Sequence, residues 1–129
     1  MRTPMPNFPC EFEIPDEWWD EAGMPGFKPE GTAYWVTGNA KLVPLEDIEP
    51  LYCKHAKTRD WCGFDHERMV RILKSIANGE EMKPVPLMAL PYADVSSRMT
   101  YGYRALDGFH RYYASIAAGF QYLPASVIG

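Results

Sequence analysis

Apolar residues recur with helical spacing most clearly in the middle of the chain, where Met69, Ile72, Leu73 and Ile76 stand at i, i+3, i+4 and i+7. Asp65 just before them is a good N-cap, and Asn78-Gly79 supplies a stop, so a helix is predicted from Asp65 to Gly79. Two extended stretches follow. Pro84 to Leu90 reads as a strand whose prolines suit its start or a sheet edge, and Met99 to Leu106 alternates around Tyr101 and Tyr103. Residues 91–98 then form the connecting hairpin tip. A second helix follows Asp107-Gly108-Phe109-His110-Arg111, burying Tyr112 or Tyr113 with Ile116 and Ala117, and Gly119 ends it. Leu123 to Ile128 is a last short strand. Upstream, Tyr34-Trp35-Val36 and Ala40 to Val43 are short extended pieces, Leu45 to Ile48 is a turn, and Leu51 to Gly63 has no period.

The first forty residues obey different rules. They hold half of the twelve prolines, each of which fixes φ and removes a donor. Pro15 to Glu21 can form one short helix, with proline in its first turn and acids at the positive end of its dipole. Trp18 and Trp19 on it need a surface to cover. This N-terminal arm, residues 1–39, is expected to pack on the body formed by residues 40–129 or to engage a protein partner.

Composition narrows the class without naming a chemistry. The 129 residues suit one domain, and 47% hydrophobic with 14% aromatic content is globular rather than disordered. No apolar run is long enough for a membrane span, and the first fifteen residues lack the apolar core of a secretory signal. Three cysteines, Cys10, Cys53 and Cys62, make no disulfide framework and point to a reducing, cytoplasmic setting. A net charge of −4 disfavours DNA as a partner. Cys53, His55, Cys62 and His66 comprise a zinc-type ligand set, but the cysteines stand further apart than zinc spacings usually allow.

The chemistry concentrates at Asp107-Gly108-Phe109-His110-Arg111. A strand, a glycine and a helix whose first turn bears His and Arg make an anion site: amides and dipole face the ligand, and glycine permits close approach. Arg111 offers a bidentate fork, and His110 can donate or titrate near neutrality. Asp107 is placed to cap the helix, hold Mg²⁺ or act as a base. The competing structural reading has Asp107 as N-cap, His110 solvated and Arg111 in a surface ion pair.

The succession Lys41 to Pro50, Arg59, the helix from Asp65, Pro84-Val85-Pro86-Leu87, Asp107 to Ala114 and Leu123-Pro124-Ala125 resembles the ParB N-terminal domain/sulfiredoxin superfamily over about residues 40–128. The resemblance implies an α+β fold, a small mixed sheet flanked by helices, and a site for ATP or CTP with Mg²⁺. By matching position, Gly108, Phe109, His110 and Arg111 would hold phosphates, and Asp107 would bind metal or act as base. Arg59 is what remains of a conserved-type box in the ParB branch. Arg68, Arg71 and Ser75 share one stripe of the preceding helix, roughly 110° from its apolar face, and would add positive potential to the cleft.

Departures from the pattern select among the branches. Phe109 stands where sulfiredoxins need their cysteine, so sulfinic acid reduction is excluded. The DNA-binding and dimerisation segments of partition proteins have no counterpart in this sequence. The motif is most like that of free-serine-kinase-like members, whose additional carboxylate would have to be Glu46 or Glu49. No cluster of carboxylates at metal-binding spacing supports a nuclease. The expectation is nucleotide binding, with phosphoryl transfer or hydrolysis as its chemistry. The alternative is a catalytically silent regulatory module that works through a protein or DNA partner.

Overall fold

A computed structural model describes residues 2–6, 11–36, 38–51, 63–90 and 101–128. Arg59, Cys10, Cys53, His55, Cys62 and the expected hairpin tip at 91–98 lie outside these residues. The described chain is α+β. Three helices and a two-stranded ribbon surround a four-stranded mixed sheet.

The strongest sequence signal corresponds to the longest helix, α2, His66–Ala77. Asp65 is its N-cap, with its carboxylate accepting the Arg68 amide at 2.9 Å. Met69, Val70, Leu73 and Ile76 are buried, whereas Ile72 is half-buried. The inward face is therefore rotated slightly toward Val70. Helix α3, Phe109–Ala118, is bracketed by two left-handed glycines, Gly108 at φ 88° and Gly119 at φ 94°. It buries both Tyr112 and Tyr113, together with Ala114, Ser115, Ile116 and Ala118, more of its circumference than a single apolar stripe implies.

The sheet runs β3 (Lys41–Pro44), β6 (Tyr122–Ile128), β4 (Val85–Ala89), β5 (Tyr103–Ala105). β6 is antiparallel to β3 and parallel to β4, and β4 is antiparallel to β5. Pro86 therefore lies within an interior strand rather than at a start or an edge. Its carbonyl accepts the Leu106 amide at 2.9 Å, and β5 has ended at Ala105, so no ladder bond requires a donor from Pro86. Of the strand expected at Met99 to Leu106, Met99 and Thr100 lie outside the described residues, and β5 leaves out Tyr101, Gly102 and Leu106.

The N-terminal segment shares the same core. β1 (Arg2–Pro4) and β2 (Glu11–Glu13) pair antiparallel, a ribbon that the proline-rich composition concealed. Phe12 of β2 packs edge-on against Tyr113 at 4.9 Å between ring centroids. Trp18, on helix α1 (Asp16–Glu21), is buried and stacks on the His66 ring at 4.8 Å. Glu21 of the same helix lies 2.7 Å from His66 Nε2. Tyr34 is buried in an extended piece that joins no strand among the described residues. Its hydroxyl donates to the Lys83 carbonyl at 2.6 Å instead. Ile14, Met24, Val43, Leu73, Leu87, Tyr112 and Leu123 thus belong to one apolar cluster. No helix among the described residues is long and apolar enough to cross a membrane.

Candidate functional site

β5 leads through Leu106 and Asp107 into Gly108, and the sheet dictates the residue there. A Cβ at Gly108 would sit 2.7 Å from Val85 Cγ1 and 2.9 Å from Cγ2, far inside contact distance. The positive φ adds a second demand for glycine. The turn is thereby seated on the first residue of β4, with α3 springing directly from it.

Asp107 is exposed, and its Oδ1 accepts the Gly108 amide at 2.7 Å. It therefore braces the amide before the helix, while Gly108 itself occupies the N-cap with no side-chain capping bond. The first bond into the α3 ladder is Tyr112 N–H to the Gly108 carbonyl, 2.9 Å. The amides of Phe109, His110 and Arg111 open the helix without a backbone acceptor among the described residues. These donors lie at the positive end of the helix dipole.

The two side chains expected to grip an anion are occupied differently. His110 Nε2 accepts the Asp65 amide at 2.8 Å, so the ring is neutral and carries its proton on Nδ1. Burial lowers its pKa first and the Arg68 charge lowers it further, against an opposing pull from Asp65. Arg111 Nη1 donates to the carbonyls of Lys83 at 2.9 Å and Pro84 at 3.2 Å. The Lys83 carbonyl thus accepts from both Arg111 and Tyr34, and burial pushes the Tyr34 hydroxyl up to about 12 against the neighbouring guanidinium. His110 is half-buried rather than solvated, and Arg111 forms no ion pair among the described residues. Both residues fasten α3 to backbone on neighbouring segments.

Phe109 packs among rings, 5.4 Å from Phe64 and 5.0 Å from Tyr113. Its edge also borders a groove of about 470 Å³ formed by Glu49, Pro50, Leu51, Arg104, Leu106 and Asp107 among others. Arg104 Nε donates to Glu49 Oε2 at 2.7 Å across that groove. Of the two candidate carboxylates, Glu49 thus shares a groove with Asp107. Glu46 borders a different one with Pro44 and Tyr122.

The α2 stripe is not gathered at the turn. Arg68 alone lies close enough to influence His110. Arg71 borders a groove with Glu21, His66 and Lys74, and Ser75 borders another near Tyr34 and Trp35. Arg104 was missed because nothing local distinguishes one polar residue in a short alternating strand. Only the register of β5 aims it at Glu49. Among the described residues no three His, Cys, Asp or Glu side chains gather to hold a metal.

No protein-family model matches the chain, and no curated protein matches it.

Proposed function

We propose that this chain binds a nucleoside triphosphate, ATP before CTP, with Mg²⁺ at the Asp107–Arg111 turn, for phosphoryl transfer or nucleotide hydrolysis. One observation carries the reading. The turn presents three amides with no acceptor among the described residues, held by a glycine that tolerates no side chain, beside a groove with two carboxylates and an arginine. Such a helix start suits a phosphate. The resemblance of the same segment to the ParB/sulfiredoxin superfamily points the same way.

In this reading the backbone of Phe109, His110 and Arg111 contacts phosphate oxygens, and the His110 and Arg111 side chains hold that backbone in place. Asp107 and Glu49 suit Mg²⁺, which needs only one or two protein carboxylates when phosphate oxygens complete its shell. Arg104, now on Glu49, lines the same groove and would meet negative charge developing during transfer.

A second reading is favoured by the bonds that His110 and Arg111 make to backbone. It takes the turn as scaffold in a catalytically silent ParB-like module that works through a protein partner. DNA is a weaker partner for a chain of net charge −4.

Thermal shift with ATP, CTP, GTP, ADP and phosphate, each with Mg²⁺, separates the two. Ligand at about 100 times its Kd adds roughly 2.7 kcal/mol, some 3–6 °C for a domain this size. The nucleotide reading expects such a shift for one base, reduced in Asp107→Asn and Glu49→Gln, with turnover abolished in Asp107→Ala. A folded protein that shifts with none of the five ligands leaves the scaffold reading standing.

A further inference from the structure

The far end of α2 carries a second concave site, away from the Asp107 turn. Its groove has a volume of about 390 Å³ and lies between the 27–35 segment and the C-terminal turn of α2, with Phe27, Trp35 and Phe120 supplying aromatic surface. That size is at the lower end of small-ligand pockets. Phe27 and Phe120 meet edge to face at 6.1 Å, so one end of the groove is a fixed aromatic corner. Trp35 is 57% exposed, an unusual cost for the largest aromatic side chain unless something covers it.

The walls are tied to each other before any ligand arrives. The Trp35 carbonyl accepts the Met82 amide at 3.0 Å, and the Tyr34 hydroxyl donates to Lys83. On the opposite wall, Gly79 N–H returns to the Ile76 carbonyl at 3.2 Å and Glu80 N–H to the Ser75 carbonyl at 2.8 Å. This closing motif leaves the last carbonyls of α2, and the negative end of its dipole, beside the groove. Two carboxylates, Glu30 and Glu80, border it against one ammonium, Lys28. Aromatic faces, a helix C-terminus and an excess of carboxylate all favour positive charge.

We infer that the groove between Trp35 and the C-terminal turn of α2 binds an organic cation, an alkylammonium or methylated ammonium head, over the Trp35 ring. The head group can belong to a free amine or to a lysine side chain of a peptide, and the chemistry of recognition is the same. The inference stands independently of nucleotide binding at the other end of the helix.

Ligand-observed NMR with tetramethylammonium tests it, alongside 2,2-dimethylpropanol, an uncharged and soluble alcohol that keeps the same branched methyl head. The cation is expected to bind and the alcohol to bind more weakly. Trp35→Ala should weaken the cation roughly 3- to 30-fold, the range that cation–π contacts span. Glu80→Gln should weaken it less, with a loss that shrinks as salt is raised. Trp35→Leu keeps apolar bulk at this exposed position and should behave like Trp35→Ala, which separates the ring's electrostatics from its area. A trimethyllysine peptide in place of the free cation then distinguishes the two sources. Equal binding of alcohol and cation, unchanged binding in both Trp35 variants, or no binding to the folded protein overturns the inference.

Discussion

Two helices begin side by side in this molecule, and they begin differently. α2 starts with a side-chain cap: the Asp65 carboxylate takes the Arg68 amide, and the Asp65 amide is itself given to His110. α3 starts with a bare glycine and three amides that have no acceptor among the described residues. Both starts abut aromatic rings, and the residue at the cap position makes the difference: an aspartate before α2, a glycine before α3. A capped start contributes about 1 kcal/mol of stability, whereas an open one forgoes that contribution; under the proposed function its donors would go to a phosphate.

The sharpest way to break the contrast is Gly108→Ala. Forcing a Cβ into Val85 and an L-residue into a left-handed turn should cost about 2–5 kcal/mol, measured by urea unfolding. Val85→Ala in the same chain should relieve the steric part, so the double variant should lose less than the sum of its single losses. Next comes Arg111→Ala, which removes donors from the Lys83 and Pro84 carbonyls and should cost about 1–2 kcal/mol. A lysine there lacks the planar fork and should recover little. An arginine that served only a phosphate would leave unfolding unchanged.

Asp65→Ala should cost about 1 kcal/mol as a lost cap. Asp107→Asn keeps an acceptor for the Gly108 amide and should stay within about 0.5 kcal/mol. The two aspartates would then differ in kind: one measurable in stability, the other only in ligand binding. The smallest effect concerns pH. The folded His110 pKa is depressed, so the unfolded chain takes up the proton first as pH falls. Stability is complete above the ordinary histidine value and declines as pH drops through it toward the lower folded value. His110→Gln offers a neutral acceptor to the Asp65 amide and should flatten the wild-type decline between neutrality and mild acid.

The same contrast marks what could be read from sequence. α2 was legible because its determinants are local: a cap, four apolar positions at helical spacing and a stop. The glycines at 108 and 119 were legible for the same reason, since only a turn and a helix end explain them there. The functions of His110 and Arg111 were not, because each bonds to backbone far along the chain that only the folded sheet delivers. The β1–β2 ribbon escaped notice amid prolines, although Phe12 and Ile14, two apart and both buried, were its available signal. Pro86 misled because strand rules speak of edges, while the relevant fact is where the neighbouring strand stops.

Two of the contacts that α3 makes with distant backbone have a joint mechanical meaning. His110 holds the Asp65 amide, and the Tyr113 hydroxyl donates to the Leu51 carbonyl at 2.5 Å. Adjacent turns of one short helix therefore act as a two-pin clasp on positions 51 and 65. The clasp ties the groove wall at Leu51 and the N-terminal cap of α2 to one helix, so a displacement of α3 moves both together.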